Sequence, residues 1–527
     1  MRATALRKVV QAVFLAFFVY LFGRTVYPLD GLLPVDLLLR LDPLVAAVSF
    51  LAGRNIVPRM LLSLALLGAT FFLGRFFCGY ICPLGTIIDL SDGIQRRLGL
   101  GRFRLSSVPR FPKYILLIFL LFLALFGRSL LWPLDPLVIF TRSLVAVIFP
   151  AAVILANAGL DLFRPLAERW ELYGLADAGF TQPSFAHWIF PLLVLGVILG
   201  LGLLGHRFWC RALCPLGALL ALAARFSPIK RVVAGGLCTH CGLCRRHCSM
   251  GAIPQDELTT APGECIECGV CLSICPGKAI AFHPGGARVS SPETDHYRRT
   301  RVADWDRRRL IIAALAGLAA IPASRILPSP APSRPRRIRP PGSVPEEIFL
   351  ARCLRCGECM KVCLTNGLQP SLSESGPGGF WTPVLVPRKG PCERRCHLCG
   401  QVCPTQAIRA LPLEEKSYAR LGRARVERSR CLEWGYGQAC LVCDEVCPYG
   451  AIYVGGSSGR GRGRRGPVVD PEICVGCGVC EHHCPVVGEA AIRVRADGED
   501  RRLTGSYVTP RRRAARAQAG AGDRLGE

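Results

Sequence analysis

Of the 28 cysteines in this 527-residue chain, 24 fall into six short runs, and their spacing restricts the fold more than any other feature. Cys238, Cys241, Cys244 and Cys248 form the first run, and Cys265, Cys268, Cys271 and Cys275 the second. In each, two residues separate the first three thiols and three residues precede the fourth. Three closely spaced thiolates can cap one face of an iron–sulfur cube, while the displaced fourth, usually followed by proline, reaches a neighbouring cube. Cys238, Cys241, Cys244 and Cys275 are therefore expected on one [4Fe–4S] cluster, and Cys265, Cys268, Cys271 and Cys248 on another. Pro276 follows Cys275, whereas Ser249 stands after Cys248 and weakens that crossing.

Four more runs follow: Cys353, Cys356, Cys359 and Cys363; Cys392, Cys396, Cys399 and Cys403; Cys431, Cys440, Cys443 and Cys447; Cys474, Cys477, Cys480 and Cys484. The outer two repeat the same spacing, and the inner two have a longer first interval. The same exchange of fourth cysteines is expected to pair the first run with the fourth and the second with the third, with sequential pairing as the alternative. Six clusters result. Zinc normally uses two separated cysteine pairs, which does not account for a third and a fourth thiol in every run. A secreted disulfide framework would scatter its cysteines rather than cluster them.

The remaining four cysteines sit in two copies of one phrase. Phe77-Cys78-Gly79-Tyr80-Ile81-Cys82-Pro83-Leu84-Gly85 is repeated as Trp209-Cys210-Arg211-Ala212-Leu213-Cys214-Pro215-Leu216-Gly217. The four-residue interval places both thiols of a pair on one helix face, and the proline limits continuation of that helix. Cys78, Cys82, Cys210 and Cys214 are candidates for a metal site or a redox couple; as buried small residues they would serve packing alone.

Each phrase closes a long apolar segment. With 51% hydrophobic residues and a mean hydropathy of +0.33 the chain is too apolar for an ordinary soluble protein. Spans are expected at residues 9–28, 57–77, 114–132 and 186–204, with 136–160 a re-entrant or interfacial segment broken by Arg142 and Pro150. Arg2, Arg7 and Lys8, and the basic loop at 92–113, place the N-terminus and both cysteine phrases on the cytoplasmic side. Leu41-Asp42-Pro43-Leu44 and Leu134-Asp135-Pro136-Leu137 extend the internal repeat. Asp42, Asp135 and His206 are candidate proton acceptors near the spans. Haem is rejected, because His187 and His206 lie at opposite ends of one span. The formal charge of +27 sits beside apolar segments and in linkers, which points to a membrane surface and not to nucleic acid.

The expected organisation is a membrane α-helical bundle with α+β ferredoxin-like iron–sulfur domains. A transmembrane domain covers 1–228, a two-cluster domain 229–285, an apolar anchor 305–327, a stiff Pro/Arg-rich linker 328–345, a four-cluster domain 346–495 and a disordered basic tail 496–527. The Gly/Arg/Ser tract 457–466 is also expected to be disordered.

Residues 1–285, with CxxxCP pairs ahead of two ferredoxin runs, resemble the NapH/MauN membrane ferredoxin-type proteins. Residues 300–495 resemble the partner family NapG/MauM, with Arg307-Arg308-Arg309-Leu310-Ile311 as a twin-arginine-like signal and the long Cys431–Cys440 interval. The chain thus looks like a fusion of two proteins usually made separately. The resemblance implies a component of the bacterial cytoplasmic membrane that acts as a quinol dehydrogenase. It implies cytoplasmic placement of the first cluster domain, export of the second to the periplasm by the twin-arginine machinery, and delivery of electrons to a periplasmic reductase or c-type cytochrome. The rival readings are a maturation factor supplying electrons to metal-centre or quinoprotein biogenesis, and a redox sensor.

Overall fold

The computed structural model describes residues 2–29, 31, 33–100, 108–177, 179–284, 337–372, 374–456, 465–510 and 512–514. The expected anchor with its arginine run, residues 328–336 of the linker, the tract at 457–464 and residues 515–527 lie outside them. The chain divides into two compact units. One holds Met1–Arg24, Leu33–Ser143 and Ile189–Ala323; the other holds Thr25–Leu32, Leu144–Trp188 and Ser324–Glu527.

The first unit is built on helices α1 (Arg2–Gly23), α2 (Pro43–Gly53), α3 (Ser63–Leu73), α4 (Pro83–Arg97), α5 (Pro112–Leu125), the start of α6 (Pro136–Arg169), α7 (Ile189–Gly200) and α8 (Pro215–Ala224). The internal repeat is legible in the helix starts. Asp42 caps α2, its Oδ1 accepting from the amides of Leu44 (2.8 Å) and Val45 (3.2 Å), with Pro43 in the first turn. Asp135 caps α6 in the same way, accepting from Leu137 and Val138 at 3.0 Å each. An aspartate cap followed by proline satisfies orphan amides and supplies a residue that needs none.

Thr4–Gly23 and Pro136–Arg169 are long and apolar enough to cross a membrane by length and composition, whereas Pro58–Leu73, Pro112–Leu125 and Ile189–Leu203 are shorter. The apolar windows read as spans therefore overrun the helices. Gly74, at φ 69°, ends α3 three residues before Phe77, and Gly127, at φ 73°, follows the end of α5. Residues 136–160 are helical throughout, without the break expected at Arg142 and Pro150. Arg142 stays inside because its guanidinium lies over the Trp132 ring (5.2 Å) and bonds the Trp132 carbonyl. A π-helical turn at Leu144–Ile148 precedes Pro150, whose missing N–H then falls in the first turn of the next α-helical stretch.

After α8 the first unit forms strand β1 (Ile229–Val233), which pairs antiparallel with β2 (Ile280–Pro284). Both cysteine runs of the two-cluster domain lie between these strands, so one pairing closes the domain.

The second unit repeats that plan twice. A bridge between Ser343 and Ile408 encloses the runs 353–363 and 392–403, with β3 (Leu368–Pro370) and β4 (Pro383–Leu385) as a hairpin between them. Strand β5 (Arg423–Val426) pairs with β8 (Ile492–Arg495) around the last two runs, with β6 (Ile452–Gly456) and β7 (Arg465–Val469) paired inside. Residues 337–345 belong to this domain, although they were read as a spacer. Ile338 accepts from the Leu385 amide (2.8 Å), Val344 is fully buried and bonds Ala407 (3.1 Å), and Arg339 pairs with Glu346 at 2.6 Å. The domain likewise runs past 495: Tyr507 is fully buried and its hydroxyl accepts from the Arg502 amide (3.1 Å). Residues 337–344 are all buried, and proline and arginine content does not distinguish a spacer from a segment packed into a domain in this way.

Residues 25–32 and 144–188, the latter including most of α6, fold with this unit. Lys361 donates to the Thr25 carbonyl (3.0 Å), Asn366 to the Ser184 carbonyl (3.0 Å), and the Ala186 amide donates to Gln369 (3.1 Å).

Candidate metal centres

In the first unit, Cys238, Cys244, Cys271 and Cys275 pack around a small core of Val233, Ala279 and Ile280. Cys248 stands with the second run, where it acts electrostatically on both Cys265 and Cys271. The amide of Ala252 donates to Cys248 Sγ (3.2 Å), and Arg231 donates to Cys244 Sγ (3.6 Å). Ser249 therefore does not prevent the crossing of the fourth cysteine.

The four-cluster domain departs from the expected pairing. Cys403 neighbours Cys353, Cys356 and Cys359, and Cys363 neighbours Cys392, Cys396 and Cys399. Cys484 neighbours Cys443, whose own run supplies Cys431 and Cys440. Cys447 joins Cys474, Cys477 and Cys480 in lining one cavity. The first run is thus coupled to the second and the third to the fourth. The reason is topological: each strand pairing closes around two consecutive runs.

These donor sets suit iron–sulfur clusters. Burial pushes the thiol of Cys353 up to about 11 and those of Cys265 and Cys443 up to about 12, so without a cation these groups would stay protonated. A bound metal reverses that preference by taking the thiolate form. Among the described residues no three His, Cys, Asp or Glu side chains are close enough to hold one bare ion. A cube spreads its four ligands more widely than zinc does.

The CxxxCP phrases do not place two thiols on one continuous helix. Cys78 lies in a π-helical turn, Phe77–Ile81, and Cys82 is the N-cap of α4. Cys210 lies in the matching turn, Trp209–Leu213, and Cys214 caps α8. Each capping sulfur accepts from a backbone amide: Gly85 to Cys82 at 3.4 Å and Gly217 to Cys214 at 3.3 Å. The prolines therefore begin helices. The two copies face each other, with Cys78, Cys82, Cys210 and Cys214 within electrostatic reach.

Two fully buried arginines cross between the copies. Arg207 donates to the Cys78 carbonyl (3.0 Å) and to both carboxylate oxygens of Asp89 (2.6 and 2.7 Å). Burial resists ionisation of Asp89, but Arg207 and Arg7 hold its carboxyl well below the usual range. Arg75 reaches toward the second copy; a Cβ at Gly217 would lie 2.9 Å from its Nη2. It also contacts Cys78 Sγ (3.9 Å) and pairs with Glu264 (3.2 Å). Lys113 pairs with the same Glu264 at 2.6 Å.

The first phrase packs on the loop bearing the second ferredoxin run. A Cβ at Gly79 would come within 2.5 Å of the Ile266 carbonyl, and Tyr80 donates to the Glu267 carbonyl at 2.8 Å. Glu264 immediately precedes Cys265. His206 pairs with Asp92 (2.9 Å), while Asp42 and Asp135 serve as helix caps. Sequence reasoning missed Arg75, Arg207, Asp89 and Glu264. An arginine stands three residues before the first cysteine in both copies, Arg75 before Cys78 and Arg207 before Cys210, and that recurrence was visible.

A family described as 4Fe-4S binding domain matches residues 55–101 and again 186–233, and a 4Fe-4S dicluster domain matches 437–487. The methylamine utilization ferredoxin-type protein MauM of Methylorubrum extorquens is 38% identical over 189 residues, which is 35% of this chain and 82% of that protein. MauM of Methylophilus methylotrophus is 40% identical over 174 residues, 31% of this chain and 74% of the relative. The ferredoxin-type protein NapG of Escherichia coli is 35% identical over 165 residues, 30% of this chain and 70% of the relative.

Proposed function

Because the chain belongs to the family of MauM and NapG ferredoxin-type proteins, we propose that this iron–sulfur electron-transfer protein is bound to the bacterial cytoplasmic membrane, takes electrons from quinol and delivers them to a periplasmic redox partner. Its ligands are the 24 cysteines of the six runs, in the sets described above. Each [4Fe–4S] cluster, when bound, takes up and releases one electron at a time. The protein's own part is to bury the ligand sulfurs, to donate amide hydrogen bonds to them, and to hold consecutive runs together under paired strands. Quinol oxidation releases two electrons and two protons; His206 with Asp92 is a proton acceptor beside the thiol-bearing turns.

One observation carries this reading. The turns bearing Cys78 and Cys210 fold in the same unit as the two-cluster domain, while residues 25–32, which follow α1, and 144–188, which include most of α6, fold with the four-cluster domain. Each unit thus holds its own iron–sulfur domain, closed by its own strand pairings. Consecutive cysteine runs held together in this way make a series of centres suited to passing electrons on, which favours electron delivery over a maturation factor. The test is protease digestion of intact spheroplasts together with menaquinol reduction of isolated membranes. Cleavage of residues 337–510 from outside and rapid bleaching of the cluster absorbance are expected. A protected domain removes the periplasmic partner, and absence of reduction removes quinol as the donor.

A further inference from the structure

The six ferredoxin runs leave Cys78, Cys82, Cys210 and Cys214, and no cysteine other than these lies in either segment matched by the 4Fe-4S binding family. We propose that these four thiols together ligate a seventh [4Fe–4S] cluster, held between the two CxxxCP turns and against the Cys265–Cys268 loop. All 28 cysteines of the chain then fall into seven sets of four.

The site is built for an anionic centre. A [4Fe–4S]2+ core with four thiolates has a net charge of about −2. Around the turns, four buried cations, Arg7, Arg75, Lys113 and Arg207, share only two carboxylates, Asp89 and Glu264. Asp92 is taken by His206 and the Arg207 amide. This positive excess favours an anionic centre there. The N-termini of α4 and α8, 15 and 10 residues long, point their first amides at Cys82 and Cys214 and add to that field. A pair of disulfides would be neutral and would leave the cations in excess.

The geometry also favours a cluster over a single ion. The four sulfurs come from two separate turns related by the repeat, so the space between them is shared by both copies. No three of them approach as closely as a bare metal requires. Two glycines let the turns pack closely: a Cβ at Gly217 would meet Arg75 at 2.9 Å and Cys214 Sγ at 3.4 Å, and one at Gly85 would meet the Cys78 carbonyl at 3.3 Å. Assembly takes two ferrous and two ferric ions with four sulfides, which gives the [4Fe–4S]2+ core with no separate oxidant, and the four thiols release four protons as the iron–sulfur bonds form.

The proposal rests on the reading of the chain as an electron carrier and names where electrons enter it. Its test counts clusters and is independent of any donor. The full chain is purified in detergent without oxygen, reconstituted with equal amounts of ferrous and ferric iron and with sulfide, and weighed intact by native mass spectrometry. The heaviest species is expected to carry seven cubes, with about 28 irons in place of about 24. The Cys82→Ser/Cys214→Ser variant is expected to stop at six. Since those residues also cap helices, Cys78→Ser/Cys210→Ser, which removes no cap, is measured beside it and is expected to stop at six as well. A wild-type maximum of six, or a seventh cube retained in the Cys78→Ser/Cys210→Ser variant, overturns the proposal. So does a disulfide-linked peptide joining these cysteines in the reconstituted protein. Failure of quinol reduction with seven cubes present would instead remove only the donor.

Discussion

Arg207 donates to the carbonyl of Cys78 at 3.0 Å, so the second copy of the repeat holds the first cysteine of the other. The same guanidinium binds Asp89, which also receives Arg7 (2.6 Å) and Gln11 (3.0 Å) from α1. Arg207→Met is expected to destabilise the first unit by about 2–4 kcal/mol, because it removes a fully buried guanidinium and strips the half-buried Asp89 carboxylate of its main partner. Asp89→Asn combined with Arg207→Met should cost less than the sum of the single changes. Thermal unfolding of the detergent-solubilised protein, arranged as a double-mutant cycle, checks both. Additive costs would mean that the pair does not act as a unit.

Gly79 is where the first CxxxCP turn meets the ferredoxin loop. Its would-be Cβ collides with a backbone carbonyl, that of Ile266, at 2.5 Å, and backbone yields less than a flexible side chain. Gly79→Ala is therefore expected to cost about 1–3 kcal/mol and to slow electron entry into the two-cluster domain. Gly93, inside α4 with nothing within 4 Å of its would-be Cβ, is the control. Gly93→Ala should be neutral or stabilising by up to about 1 kcal/mol. Stopped-flow reduction of the cluster absorbance separates the two variants; equal rates would show that the contact does not govern transfer.

The cysteine spacing foretold the iron–sulfur domains because cluster ligation is a local constraint: three thiols two residues apart must cap one object. Which fourth cysteine joins which run depends on strand pairing, such as Ser343 with Ile408, and a short isolated bridge has no sequence signature. The LDPL and CxxxCP repeats were legible as repeats. Their meaning as helix starts followed only once Asp42, Asp135, Cys82 and Cys214 were seen to accept backbone amides. Hydropathy overestimated the spans because it counts apolar residues whether or not they are helical, and Gly74 and Gly127 end helices inside apolar windows. The buried charges were hidden for a different reason. Arg75 and Glu264 lie 189 positions apart, and nothing near either one announces the other.

Glu346 makes the fold of the second unit sensitive to acid. Burial alone would raise its pKa, but Arg339 (2.6 Å), Arg501 and Arg337 outweigh it and hold the carboxyl at about 2. Because the folded value lies below the ordinary glutamate value of 4.5, the stabilisation is complete above pH 4.5 and is lost as pH falls from there towards 2. Its size is on the order of 3 kcal/mol. Glu346→Gln should lower the melting temperature of the domain at pH 7 and flatten its dependence on pH below 4.5. Melting followed by tryptophan fluorescence reports on it, since Trp381 and Trp434 are buried in this domain. An unchanged acid limb in the variant would mean that other carboxylates set it.

Cys447 lies outside the run whose cavity it lines, alongside Cys474, Cys477 and Cys480, while Cys484 stands with the run of Cys431, Cys440 and Cys443. Cys447→Ser should therefore damage the cluster of the fourth run and spare that of its own run. Under the pairing of the first run with the fourth, the same role would fall to Cys363. That assignment conflicts with Cys363 standing beside Cys392, Cys396 and Cys399. The two arrangements are separated by anaerobic alkylation followed by peptide mapping. In Cys447→Ser, Cys474, Cys477 and Cys480 are expected to become reactive while Cys431, Cys440 and Cys443 stay protected. In Cys363→Ser, the newly reactive thiols should be Cys392, Cys396 and Cys399. The Ala451 amide, which donates to Cys447 Sγ at 3.3 Å, adds a second expectation. Ala451→Pro removes that donor and also its place beside β6, so the cluster of the fourth run should become more easily oxidised while the other clusters keep their potentials. Equal reactivity of both runs in Cys447→Ser would show that the exchange of fourth cysteines does not operate in this half of the domain.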